Sequence, residues 1–123
     1  MLDTCVLFDF MAGKEASPVV ERLLKESKAG ISVISVYELF RGVESQRHIE
    51  QRDQLVSLCK VMELTRPVAR KASEIYTFLK KEGRLIVNQD ILIAATALFY
   101  GWPLLTINQK DFKHIPNIHL LEI

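Results

Sequence analysis

Ile31-Ser32-Val33-Ile34-Ser35-Val36-Tyr37-Glu38-Leu39-Phe40-Arg41-Gly42 is the stretch on which the fold turns. Its first half, residues 31–36, is rich in β-branched side chains and reads as a buried strand. The strand runs into a short helix that carries Val36, Leu39, Phe40 and Val43 on one face, with Glu38 near its first turn. A carboxylate therefore stands where a strand hands over to a helix. Working outward, the same punctuation recurs: Asp3 opens Asp3-Thr4-Cys5-Val6-Leu7, Asp90 directly precedes the helix-like run 91–100, and Asp111 follows the apolar segment 103–107.

The remaining segments fill in the alternation. Val19, Val20, Leu23 and Leu24 recur at helical spacing, and Lys28-Ala29-Gly30 is expected to cap that helix. Residues 47–59 read as a surface helix over Leu55 and Leu58, and 61–64 as a short strand. Pro67 suits a first helical position. The stripe Val68, Ala69, Ala72, Ile75, Tyr76 and Leu79 follows it, and Gly83 ends it. Residues 90–100 form the most buried helix, closed by Gly101. Strands are expected at 103–107 and 118–121, separated by a loop with a short turn at Asp111-Phe112. Strands alternating with helices predict a three-layer α/β/α fold around a central parallel sheet, with residues 1–123 as one domain.

Carboxylates at strand ends converge on one rim of such a sheet, the edge where open α/β folds bind ligands. Gathered in a cleft, they repel one another unless protons or a cation neutralise them. Mg²⁺ or Mn²⁺ is the natural cation for an all-oxygen site, and it binds phosphate and activates water. The pattern thus points to metal-dependent phosphodiester chemistry. Each acid alone also reads as a helix cap or a solvated charge.

Composition restricts the alternatives. A chain of 123 residues with 49% hydrophobic content buries roughly two-thirds of its unfolded surface. The formal net charge of +1 leaves nucleic-acid affinity to local patches. Cys5 and Cys59 lack zinc-type spacing and read as buried thiols in a reducing compartment. The start carries no signal-like pattern, the longest apolar run is about half a membrane span, and a cytoplasmic location is expected. No glycine-rich phosphate loop or dinucleotide fingerprint is present. The paired aspartates of aspartate-nucleophile phosphatases are missing after Asp3. His48, His114 and His119 have no metal-ligand spacing and read as surface or strand residues.

Four segments together resemble the successive motifs of PIN-domain ribonucleases: Leu2-Asp3-Thr4-Cys5-Val6-Leu7, Tyr37-Glu38-Leu39-Phe40-Arg41-Gly42, Asp90-Ile91-Leu92-Ile93-Ala94-Ala95-Thr96-Ala97 and Leu105-Thr106-Ile107-Asn108-Gln109-Lys110-Asp111-Phe112. The compact size and the Asp90 helix most resemble the VapC toxins of prokaryotic toxin–antitoxin pairs. The resemblance implies a Mg²⁺- or Mn²⁺-dependent endoribonuclease, a homodimer, and inhibition by a small VapB-like antitoxin. Asp3 and Asp90 match the family's metal-binding carboxylates, and Glu38 its central glutamate. Thr4 is placed to orient Asp3. The fourth acidic group is supplied either by Asp111 or, less strongly, by Asn108, which stands where some members carry an acid.

Substrate contacts would come from Arg41, Lys80, Lys81, Arg84, Lys110 and Lys113, with Tyr37 able to stack on bases and Phe8 and Phe10 expected in the core. Lys80-Lys81 equally suits a helix C-terminus, and Arg41 a neutralising partner for Glu38. Only Met1 and Leu2 precede Asp3, so the first strand is expected to be frayed and short, or the start to lack a residue or two, with the α-amino group perturbing the cleft. The helical faces around 19–24 and 36–43 are candidate dimer or antitoxin surfaces. A structure-specific DNA nuclease and an inert PIN-like binding scaffold are the rival readings.

Overall fold

Two parallel strand pairs, β1 (Gly30–Ser32) with β2 (Lys60–Met62) and β3 (Leu104–Leu105) with β4 (Leu120–Leu121), are joined by the first three residues of the chain. Leu2 N–H donates to the Gly30 carbonyl at 2.8 Å, Leu105 N–H to that of Met1 at 2.8 Å, and Asp3 N–H to that of Leu105 at 3.0 Å. Leu2 and Leu105 pair in parallel. In this computed structural model, which describes residues 1–123, the chain start therefore sits in the middle of an all-parallel array. It is short, as expected, but hydrogen-bonded on both sides rather than frayed. The α-amino group donates to the Pro103 carbonyl at 2.9 Å, at the other end of this segment from Asp3. Burial lowers its pKa to about 6, and the expected disturbance of the carboxylates does not arise.

Strand residues alternate between faces, and the packing follows. Met1, Met62 and Leu104 join α5 (Arg66–Lys81) and α6 (Asn88–Tyr100) in one core. Leu2, Ile31 and Leu105 face the other core, with α1 (Thr4–Met11), α2 (Ser17–Lys25), α3 (Val33–Phe40) and α4 (Gln46–Ser57). Helices thus cover both faces of the parallel strands, the three-layer α/β arrangement read from the sequence.

Three local expectations are corrected. The run 31–36 is a strand only to Ser32. The Ser32 hydroxyl accepts the Ile34 N–H at 3.0 Å, a helix N-cap that outweighs the β-branched run behind it. Glu38 consequently lies in the second turn of α3 rather than its first. The chain after Asp3 is a helix that its composition did not announce, α1, with the Asp3 carboxylate accepting the Thr4 N–H at 2.8 Å. Finally, α2 stops at Lys25 and Ser27 makes the left-handed turn at φ 55°, while Gly30 begins β1.

Gly30 has a different task. A Cβ placed there would stand 2.0 Å from the Trp102 ring, so the indole lies directly on the strand backbone. Gly30→Ala is expected to destabilise the fold by about 1–3 kcal/mol through this overpacking, read as a lowered urea midpoint at unchanged slope.

On the apolar faces around 19–24 and 36–43, Val20 and Leu39 are wholly buried in the second core, while Val19, Leu23, Leu24, Val36 and Phe40 pack against that core and stay partly exposed. No helix is long and apolar enough to cross a membrane.

Candidate active site

Asp3, the loop after β3 and the start of α6 meet at the carboxyl ends of the strands. Asp3 is 4% exposed and lies between donors. Besides the Thr4 N–H on Oδ1, its Oδ2 accepts the Thr106 hydroxyl at 2.7 Å and the Cys5 thiol at 3.1 Å. Three of the roughly four lone-pair positions of a carboxylate are thereby used, and buried charge is met by hydrogen bonds rather than by a counter-ion.

Thr4 does not orient Asp3 with its side chain. Its hydroxyl donates to Glu38 Oε1 at 2.8 Å and lies 2.9 Å from the Ser35 hydroxyl. Only its backbone serves Asp3. Asp111 and Asn108, the alternatives for the fourth position, lie in one hydrogen-bonded chain. The Asn108 amide Nδ2 donates to Asp111 Oδ2 at 2.7 Å, and the Asn108 backbone N–H donates to the Thr106 hydroxyl at 3.0 Å. Thr106 passes the link on to Asp3. Thr106 and Ser35, both fully buried or nearly so, were not singled out from sequence. Thr106 does lie within a quoted motif, and Ser35 stands three residues before Glu38, on the same helical face.

Asp90 lies in the first turn of α6, half-buried, and its carboxylate accepts no hydrogen bond from the protein. Burial first, then the charges of Asp3, Glu38 and Asp111, push its pKa up to about 6. The helix dipole at this position favours the ionised form. That effect is only about 0.3–1 kcal/mol, and here like charge and desolvation prevail. The other three acids named from the sequence thus all act on Asp90 by their charge. None is ion-paired: the three salt bridges, Lys25–Glu21, Lys28–Glu26 and Lys71–Glu74, lie elsewhere on the surface.

Arg41 does not neutralise Glu38. Its guanidinium lies 5.6 Å from the ring centroid of Tyr37, whose side chain is exposed. This leaves a cation and an aromatic face beside Glu38 on α3. Phe8 is exposed, contrary to expectation. Lys80 and Lys81 occupy the last turn of α5, the position a helix dipole favours. Arg84 Nη1 is 2.9 Å from His114 Nε2. Desolvation, then Arg84 and Lys113, hold that imidazole below its usual pKa.

Cys5 and Cys59 are free and only half-buried. Burial, and for Cys5 next the charge of Asp3, push both thiols up to about 11. Thiolate at pH 8 is then roughly one part in a thousand. Both are expected to react with iodoacetamide about two orders of magnitude more slowly than an unperturbed cysteine, as followed by mass spectrometry.

The donor set is all oxygen and uncompensated, but open: no three acidic, histidine or cysteine side chains close around one point. That suits Mg²⁺, which takes one or two carboxylates and keeps several waters. Asp3 retains one lone-pair position and Asp90 all of its own. A closed structural zinc site, with its four converging ligands, does not fit these side chains.

This α/β domain, with carboxylates gathered at the ends of parallel strands, matches the PIN domain over residues 1–118, and the chain belongs to the PIN domain family. Ribonuclease VapC of Rickettsia bellii is 30% identical over 130 residues, covering 100% of this chain and 95% of the relative. Ribonuclease VapC1 of Methanocaldococcus jannaschii is 29% identical, covering 98% and 83%. Among solved structures, VapBC2 from Rickettsia felis, bound to a DNA fragment from its promoter, superposes with a TM-score of 0.86 at 27% identity, covering 100% of this chain and 97% of that one. The likeness to VapC is thus one of sequence and of fold over essentially the whole chain.

Proposed function

We propose that the chain is a Mg²⁺- or Mn²⁺-dependent endoribonuclease, the toxin member of a VapBC-type pair. The observation that carries this reading is Asp90 in the field of Asp3, Glu38 and Asp111, four carboxylates without an ion-pair partner, in a fold whose relatives are named ribonucleases. Asp3 and Asp90 would hold the cation, with Glu38 and Asp111 at its edge. When bound, the ion polarises the scissile phosphate and makes a coordinated water more acidic.

The protein's own groups supply position and proton transfer. Asp3 is fixed by Thr4, Cys5 and Thr106. Glu38 is held on one oxygen by Thr4, leaving the other to accept a proton from water. Asn108 restrains Asp111. Arg41, Arg84, Lys110 and Lys113 offer phosphate contacts, and Tyr37 a face for a base. Attack by water rather than by the ribose 2′-hydroxyl leaves 5′-phosphate and 3′-hydroxyl ends. A VapB-like antitoxin, a homodimeric assembly and a cytoplasmic location belong to the same reading.

Incubation of a structured-RNA pool and matched DNA oligonucleotides with Mg²⁺, Mn²⁺ or EDTA tests it. Cleavage of RNA alone, dependent on metal and leaving 5′-phosphate ends, is expected. Cleavage of both nucleic acids equally would favour a DNA nuclease. Cleavage that persists in EDTA would remove the metal from the reaction.

A further inference from the structure

The Ser35 hydroxyl has no packing reason to be polar. Ser35 is completely buried on α3, where an alanine would fill nearly the same space. Its hydroxyl lies 2.9 Å from the Thr4 hydroxyl, which in turn donates to Glu38 Oε1 at 2.8 Å. Counting protons gives the contact a direction. An ionised carboxylate only accepts, and Thr4 has one hydroxyl proton, which goes to Glu38. Ser35 must therefore donate to Thr4. The result is a buried relay from Ser35 through Thr4 to Glu38, in which each bond polarises the next.

Glu38 is half-buried, with three rotatable bonds, and Oε2 accepts no hydrogen bond from the protein. Anchoring Oε1 alone selects one rotamer and leaves Oε2 as the oxygen available to water. We propose that Ser35 is a positioning residue for the reaction: through Thr4 it fixes which oxygen of Glu38 is presented in the cleft. This role rests on the ribonuclease reading above.

The test uses Ser35→Ala, Thr4→Val and Thr4→Ser, alone and combined with Glu38→Gln, in single-turnover RNA cleavage with Mg²⁺. Ser35→Ala is expected to lower kcat roughly five- to tenfold, the scale of one lost hydrogen bond, with KM unchanged. Thr4→Val matches or exceeds that loss, and Thr4→Ser, which keeps the hydroxyl, restores most of the rate. Ser35→Ala adds nothing in the Glu38→Gln background. In metal-free protein, the Thr4 hydroxyl proton is expected as a slowly exchanging NMR signal close to Ser35, lost in Ser35→Ala.

A Ser35→Ala protein that melts lower but cleaves at the wild-type rate overturns the assignment and leaves a space-filling serine. Losses from Ser35→Ala and Glu38→Gln that multiply overturn it as well, because the two residues then act independently. Wild-type protein that shows the Thr4 signal yet cleaves no RNA with either metal overturns the ribonuclease reading, and the role of Ser35 falls with it.

Discussion

Asp90→Asn is expected to cripple RNA cleavage while making the metal-free protein more stable at pH 7.5. The catalytic loss should reach roughly two to three orders of magnitude, the scale of removing one preorganised electrostatic contact to a transition state. The stability gain follows from linkage. The folded-state pKa of Asp90 is about 6, above its ordinary 3.8. The folded protein therefore binds this proton more tightly than the unfolded chain does. The resulting stabilisation is complete below pH 3.8 and is lost as pH rises through 6. At pH 7.5 the ionised group is a net cost. Discounted for its half-exposed position, that cost is about 1 kcal/mol, or roughly 3–6 °C in Tm. Melting curves at pH 5 and 7.5, with and without Mg²⁺, check each part. Wild-type Tm should rise with Mg²⁺ by mass action and fall between pH 5 and 7.5 without it. Asp90→Asn should show a weaker pH dependence and little response to Mg²⁺. A mutant less stable than wild type at pH 7.5 would refute the account of the shared field.

Asp3→Asn makes the same chemical change and should have the opposite effect on stability. Cleavage should again fall by about two to three orders of magnitude. Here, however, the carboxylate is buried and faces three donors: the Thr4 N–H, the Thr106 hydroxyl and the Cys5 thiol. An amide keeps one acceptor oxygen and turns an NH₂ toward the other donors. The Thr106 hydroxyl would have to rotate and the Cys5 thiol would lose its acceptor. A cost of about 1–3 kcal/mol is expected, visible as a lowered denaturation midpoint with or without metal. Chemical denaturation of both asparagine variants in EDTA separates a carboxylate that strains the fold from one that supports it. Equal shifts would contradict the geometry.

The acids were legible because each is placed by local chemistry. Asp3 caps a helix, Asp90 opens one, Glu38 lies in the helix that follows a strand, and Asp111 belongs to the one-turn helix Gln109–Phe112. What surrounds them was less so. Thr106 reaches Asp3 across 103 positions of sequence, and Ser35 reaches Thr4 across 31. No periodicity encodes such pairings, which exist only once the strands align. The overlong strand at 31–36 fails for a related reason. Its β-branched residues favour extended backbone, but Ser32, at its second position, offers a helix cap, and tertiary packing takes that option. α1 was missed because Thr4–Met11 carries little amphipathic contrast. The segment lies between a cap that looks like a catalytic acid and a glycine turn. The parallel architecture survived these errors because it depends on the order of elements more than on their ends.

The placement of residues 1–3 between β1 and β3 also governs when the cleft comes into being. A growing chain emerges amino end first and folds as its domains become complete. Asp3 is made 103 residues before its hydroxyl partner, Thr106, and Leu2 long before its neighbour in the array, Leu105. Contacts so distant in sequence close late. Until then the amino-terminal segment has one open edge and Asp3 lacks its Thr106 bond. The cleft is thus assembled only once β3 and Thr106 have been made. A protein whose proposed chemistry is cutting RNA would acquire that capacity only after the segment carrying Leu105 and Thr106 has joined its amino-terminal residues.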